Sequence, residues 1–141
     1  MKYTDEEIES LLSEIESDLA ERKETWKGDA PDTGRQAVCA FANDLPDHRK
    51  PGVLFVGAKN NATPSGLLIT DELLRTLSDI KTDGNILPPP SILVEKRTLK
   101  RSEMAVVTVQ FSSSDCAFPL PYAAGHLAAF LEKSPYSQIL F

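Results

Sequence analysis

The 141-residue sequence has few of the features that mark disulfide-rich, zinc-binding or membrane proteins. Its two cysteines, Cys39 and Cys116, are too few for a disulfide framework or a zinc site. Its apolar runs, such as residues 53–56, are far shorter than the roughly 20 residues that cross a bilayer, which excludes a membrane span. The phosphate-loop pattern G-x-x-x-x-G-K-[S/T] is absent, so nothing supports autonomous ATP hydrolysis.

A basic excess is absent as well. The net charge is −6, and residues 1–24 carry the whole excess, with nine acids and three bases, whereas residues 25–141 carry twelve of each. This neutral body argues against strong sequence-blind binding to nucleic acid, which needs many phosphate neutralisations, but it allows a local basic cluster. The acidic N-terminus lacks the basic and then apolar layout of a secretory signal, which favours a cytoplasmic location.

The first 25 residues predict a helix followed by a strand. Thr4 and Glu7 have the spacing of a capping box. An apolar stripe follows at helical spacing, formed by Ile8, Leu11, Leu12 and Ile15. Residues 18–25 alternate as a strand with two faces, one carrying Glu21 and Lys23 and the other Ala20 and Arg22.

Two more helices are predicted downstream. Thr33 with Gln36 can cap the second, which Pro46 ends. Its apolar stripe consists of Val38, Phe41, Ala42 and Leu45. Thr70 opens the third helix, and residues 121–131 show a further helical pattern.

Three further strands complete the predicted sheet. Residues 52–57 form a glycine-flanked apolar run that is typical of a buried central strand. Residues 92–99 pair with residues 104–111 as a hairpin around residues 100–102. The most concentrated basic cluster of the chain is therefore expected at a hairpin tip, and its members are Lys96, Arg97, Lys100 and Arg101.

Three segments in order resemble the Schlafen AlbA_2 family. Residues 16–24 resemble its E-S-x-x-L-E-F-K-E opening, and residues 40–43 resemble its A-F-A-N helix end. Residues 52–57 resemble its G-x-L-x-x-G strand. The resemblance spans roughly residues 5–120, and the order and spacing of the motifs carry it more than any single motif does.

This resemblance implies an α+β fold, with a small mixed sheet and flanking helices. We expect residues 1–141 to form a single AlbA_2-like domain. Segment 116–141 is atypical, because residues 123–131 read as a helix where family members commonly close with a strand.

The resemblance also implies a role with DNA or RNA, since the family includes bacterial transcriptional regulators. Some members cleave structured RNA, and their carboxylates matching Glu16 and Glu21 join a third acid to hold Mg²⁺ or Mn²⁺. Where the family pattern places acids, this chain has Ala-Lys-Asn-Asn at residues 58–61. A metal-dependent nuclease using Glu16 and Glu21 is therefore the alternative rather than the leading expectation.

The nucleic-acid hypothesis assigns phosphate contacts to basic side chains, namely Lys23, Lys59, Lys96, Arg97, Lys100 and Arg101. Exposed amides can bind an anion, which predicts a phosphate turn at Gly57, Asn60 and Asn61. Ordinary turn chemistry and a solvated hairpin tip would explain the same residues. A noncatalytic protein-interaction domain, suggested by the acidic first helix, also stays open. DNA or RNA is the expected partner, with a possible homo-oligomer and no cofactor outside the nuclease alternative.

Overall fold

The computed structural model describes residues 2–82 and 84–111. These residues form three helices, α1 (Asp5–Ser13), α2 (Ala30–Asn43) and α3 (Asp71–Ser78), and a short 3₁₀ helix at Asp79–Lys81. They also form four strands, β1 (Ala20–Lys23), β2 (Gly52–Val56), β3 (Ile92–Leu99) and β4 (Ser102–Val109). The predicted α+β class is confirmed. Residues 112–141, including the predicted atypical segment 116–141, lie outside the described residues.

The four strands form one mixed sheet in the order β1-β2-β4-β3. β1 runs parallel to β2, and the other two pairings are antiparallel. The chain between β1 and β2 contains α2, as a parallel connection requires. The short strand β1 and the longer strand β3 are the two edges of this sheet.

Helices cover both faces of the sheet, so the central strands are buried on both sides. Val53 and Phe55 of β2 pack in the cluster that includes α1, whereas Leu54 and Val56 pack with α2 and α3. All five residues of β2 are buried, as predicted for residues 52–57. No helix among the described residues is long and apolar enough to span a membrane.

Helix α1 begins as the sequence predicts and ends earlier. The capping box is present, because Glu7 N donates to Thr4 Oγ1 at 3.2 Å and Thr4 N donates to Glu7 Oε1 at 2.9 Å. The helix stops at Ser13, however, and Ile15 is 57% exposed. The prediction that Ile15 extends the buried stripe is wrong, because the helix ends before Ile15 and turns it out of the core.

Helix α2 begins three residues before the predicted cap. Pro31 lies in its first turn, where a missing N–H is tolerated, and Thr33 donates its hydroxyl to Asp29 O at 3.0 Å. The helix ends at Asn43, and Asp44 follows with a left-handed φ of 46°. The predicted Thr33 cap is therefore wrong. Leu45, predicted on the apolar stripe, is 51% exposed because it lies beyond the helix.

The third helix and the hairpin follow the predictions closely. Leu73 N donates to Thr70 Oγ1 at 3.0 Å, which confirms the predicted cap of α3. In the hairpin, β4 begins at Ser102 rather than at residue 104. Only Lys100 and Arg101 form the turn, with φ values of 51° and 64°. Positive φ at both central residues defines a type I′ turn, whose twist matches that of the strands.

Tyr3 connects the start of α1 to the start of β2, and its removal tests this tie. The buried Tyr3 hydroxyl donates to Pro51 O at 2.6 Å. Tyr3→Phe should lower the free energy of unfolding by about 1–2 kcal/mol near neutral pH, because Pro51 O loses its buried donor. Urea unfolding of the parent and the variant measures this difference.

The same pair of proteins should also differ in pH dependence. Burial, and then the charge of Glu7, raise the pKa of Tyr3. Below the unfolded-state pKa of about 10 the stabilisation by the neutral phenol is fully present, and it is lost as the pH rises through the higher folded-state pKa. The stability gap between parent and variant should therefore narrow in strong alkali. A gap that stays constant there would contradict this assignment.

Candidate functional site

The register of the sheet brings two predicted basic residues into one row. Lys23 of β1 pairs with Val56, Val56 pairs with Ala105, and Ala105 pairs with Lys96 of β3. Aligned residues project to the same side of a sheet, so both lysines lie on the face that carries α2 and α3. Strands lie about 4.8 Å apart, which places the two lysine Cα atoms about 14 Å from each other.

The loop after β2 lies at the same end of the sheet and is closed by its own hydrogen bonds. Lys59 N donates to Thr63 O at 2.8 Å, and Ala62 N donates to Lys59 O at 2.9 Å. The Asn61 side chain accepts from Thr63 Oγ1 at 2.6 Å. Lys59, Asn60 and Asn61 are exposed at the top of this turn. Asn61 thus has the turn chemistry expected of asparagine, while Lys59 presents its charge to solvent.

The base of the turn is anchored to β1. Gly57 N donates to Lys23 O at 2.8 Å, and Ser65 Oγ donates to Glu24 O at 2.8 Å. Gly57 is buried with a φ of +107°, a conformation that favours glycine. Its amide is used within the fold and does not reach the surface with Asn60 and Asn61. The phosphate turn at Gly57, Asn60 and Asn61 stays a prediction, with the Gly57 amide already bonded to Lys23 O.

The predicted basic cluster of the hairpin is divided between the tip and the two faces of β3. Lys100 and Arg101 are exposed in the turn. Lys96 lies on the α2 and α3 face and forms an ion pair with Glu103 at 3.4 Å, with 44% of its side chain exposed. Arg97 projects to the α1 face, because neighbouring strand residues alternate. The prediction that all four residues lie at the tip is therefore wrong for Lys96 and Arg97.

Arg97 forms ion pairs within the protein. Its guanidinium pairs with Asp5, at the start of α1, and with Glu95 at 3.0 Å, and only 15% of its side chain is exposed. Burial alone would lower the pKa of Arg97, but the hydrogen bond and charge of Glu95 and the charge of Asp5 raise it overall. A positive charge compensated by two carboxylates is a poor phosphate contact.

The two candidate metal-binding glutamates lie in different surroundings. Glu16 precedes β1 and lines an open depression of about 480 Å³ with Asp18 and His48, whose Oδ2 and Nε2 lie 3.3 Å apart. Glu21 lies within β1 and accepts the Arg22 N–H at 3.2 Å. Among residues 2–82 and 84–111, no group of three or more His, Cys, Asp and Glu could hold a metal ion. These residues do not supply the donor set of the nuclease alternative, which stays a prediction.

Arg22 has a role that the sequence did not indicate. Its side chain is buried and donates to the main-chain oxygens at the end of α1, with Nη2 at 2.6 Å from Leu12 O and 2.8 Å from Glu14 O. Its Nε also donates to Leu12 O at 2.9 Å. Burial lowers the pKa of Arg22, and the charge of Glu21 opposes this shift. The available signal was an arginine on the inward face of a strand, after a helix with no basic residue in its last turn.

A comparison with models of known protein families identifies the family of this chain. A family model described as Schlafen, AlbA_2 matches residues 16–126, which is most of the chain. The chain belongs to the Schlafen AlbA_2 family. Neither the curated proteins nor the solved structures gave a match. Membership supports a nucleic-acid-related role at the level of the family.

The matched region includes the candidate site residues of this AlbA_2 domain but leaves out helix α1. It contains Glu16, Glu21 and every basic residue considered above, from Arg22 to Arg101. Helix α1 precedes the match, whereas the resemblance predicted from the sequence begins at about residue 5. The contacts of Arg22 and Arg97 therefore join the AlbA_2 region to a helix outside the matched residues.

Replacing Arg22 tests whether it holds α1 on the sheet. Arg22→Leu should lower the free energy of unfolding by about 2–3 kcal/mol, because the carbonyls of Leu11, Leu12 and Glu14 lose their donor. Urea unfolding measures the loss, and hydrogen exchange of the α1 amides locates it. Arg75→Leu is the matched control, since Arg75 is exposed on α3, and it should change stability by less than about 0.5 kcal/mol. Equal effects of the two substitutions would contradict the role of Arg22.

Proposed function

We propose that this AlbA_2 domain binds DNA or RNA through phosphate contacts at one end of its sheet. The contacting side chains are Lys23, Lys59, Lys96, Lys100 and Arg101, which we call the basic end. The observation that carries the proposal is the shared row of Lys23 and Lys96, with the Lys59 turn and the hairpin tip beyond it. Arg97 is left out because its charge is already paired.

The charge distribution supports binding at this end. The acidic excess of the sequence lies in residues 1–24, and α1 carries acids in its first turn on the opposite face of the sheet. A local cationic region on an otherwise acidic protein favours approach of a polyanion to that region. Glu103 beside Lys96, and Glu9 of α1, whose Oε1 accepts the Lys100 N–H at 3.4 Å, reduce the positive charge of this end. We therefore expect binding of modest affinity that is sensitive to salt.

Salt titration is the direct test. Five contacts would give a slope of log K against log salt of about −3.5 for single strands or −4.5 for duplexes. Lys100→Ala should reduce the magnitude of the slope by the contribution of about one contact, because one phosphate neutralisation is lost. Arg97→Gln is the control and should leave the slope unchanged if the variant remains folded by circular dichroism. Absence of binding to both RNA and DNA at low salt would refute the proposal.

The type I′ turn provides a second test, in which stability and binding move in opposite directions. Lys100 and Arg101 occupy left-handed positions where Asn and Gly are preferred. The double variant Lys100→Asn, Arg101→Gly should raise the free energy of unfolding by about 1 kcal/mol, because it relieves unfavourable backbone conformations. It should also weaken nucleic-acid binding, because two cations are removed. Thermal unfolding and fluorescence anisotropy of a labelled oligonucleotide measure the two effects, and unchanged binding in a folded variant would exclude the tip from the site.

Transcriptional regulation, a cytoplasmic location and homo-oligomerisation stay predictions for this protein. The noncatalytic protein-interaction alternative would be favoured by a protein partner that binds independently of nucleic acid. It would also predict that substitutions at the basic end leave that binding unchanged.

A further inference from the structure

A small apolar groove borders the basic end. It has a volume of about 260 Å³ and is lined by Trp26, Lys27, Leu67, Leu68, Glu72 and Leu73, among others. Trp26 follows Lys23 by three residues, just after β1. On the other wall, Leu67 lies next to Gly57, since a Cβ built on Gly57 would be 3.8 Å from Leu67 Cβ. One wall of the groove therefore lies beside Gly57, at the start of the loop that carries Lys59.

The Trp26 ring is held in place by close packing on α2. A Cβ added to Gly34 would lie 2.4 Å from Trp26 Cη2 and 2.6 Å from Cζ3. Gly34 is inside a helix, where alanine is favoured by about 0.5–1 kcal/mol, so the ring needs the space that glycine leaves. A fixed aromatic side chain loses little conformational entropy when a flat ligand stacks on it.

We propose that the Trp26 groove accepts an unpaired base of a nucleic-acid strand whose phosphates contact the basic end. This inference rests on the proposed function and extends it to strands with unpaired bases. The groove is smaller than the roughly 300–1,000 Å³ of drug-sized pockets, which suits one flat group. Leu68, at 77% exposure, leaves an apolar wall open to solvent beside the ring.

The charges around the groove determine which part of a nucleotide enters it. Lys27 lines the groove and is exposed, so it can attract a phosphate of the backbone. Glu72 also lines the groove and is exposed. Its carboxylate repels a phosphate but can accept a hydrogen bond from a base amino group. A nucleotide therefore suits the groove with its base against Trp26 and Glu72 and its phosphate at Lys27, as in proteins that combine a basic groove with stacking aromatics.

The single tryptophan of the chain makes the test direct, because its emission reports this groove alone. The protein is titrated with three probes of equal length, a single-stranded oligocytidylate, an abasic strand and a blunt duplex. Only the oligocytidylate should quench Trp26 emission, since stacking requires a free base. The abasic strand should bind about tenfold more weakly while keeping a similar salt slope.

Variants at Trp26 separate stacking from folding. Trp26→Leu should weaken oligocytidylate binding about tenfold by anisotropy, and Trp26→Phe, which keeps an aromatic ring, should weaken it less than about threefold. Ile15→Ala, an exposed apolar residue outside the groove, is the matched control and should have no effect. Both Trp26 variants are checked for folding by circular dichroism, and the quenching experiment needs neither of them.

The outcomes separate this inference from the proposed function. Binding of oligocytidylate without quenching, together with unchanged affinity of Trp26→Leu, would overturn the groove assignment and leave the basic end intact. Equal quenching by the abasic strand would also overturn it, because no base is then needed. If no probe binds at low salt, the proposed function fails and the groove assignment fails with it.

Discussion

Two arginines, one from each edge strand, hold the two ends of helix α1 against the sheet. Arg22 of β1 donates to the carbonyls at the C-terminal end, and Arg97 of β3 pairs with Asp5 in the first turn. Arg22 complements the negative C-terminal end of the helix dipole, whereas at the N-terminal end the dipole favours Asp5, and Arg97 pairs with that carboxylate. The attachment of α1 to one face of the sheet thus combines these two charged side chains with the apolar contacts of Ile8, Leu11 and Leu12. These two arginines are therefore bound within the fold, whereas the lysines and Arg101 of the basic end are partly or fully exposed.

The opposite face of the sheet carries Lys23 and Lys96 because neighbouring strand residues project to alternate faces. Arg22 and Lys23 are neighbours in β1, and Arg97 and Lys96 are neighbours in β3, yet each pair is split between the two sides of the sheet. One side uses its arginines for structure, and the other presents lysines at the rim. A four-residue edge strand therefore contributes both to the attachment of α1 and to the cationic end.

Much of the fold could be predicted from the sequence, because its signals are local. The Thr4 capping box, the buried strand after Pro51 and the Thr70 cap depend on residues close together in the chain. Helix ends were less predictable, since the end of α1 is bound by a tertiary contact from Arg22 and α2 already starts at Ala30, with Pro31 in its first turn. The basic cluster was visible as composition, but pairing of Arg97 with Asp5 joins residues far apart in sequence. Position along a strand alone could not reveal that its charge was already used.

The parallel pairing of β1 with β2 has a consequence for the order in which the domain assembles. The β3–β4 hairpin closes over two residues, whereas β1 can reach β2 only after the chain from residue 20 to residue 53, including α2, has been arranged. Contacts between distant residues cost more chain entropy and form more slowly than local ones. When the complete chain refolds, the hairpin turn with Lys100 and Arg101 should therefore form before β1 pairs with β2. The row of Lys23 and Lys96, and the Trp26 groove beside it, form only after β1 has paired with β2.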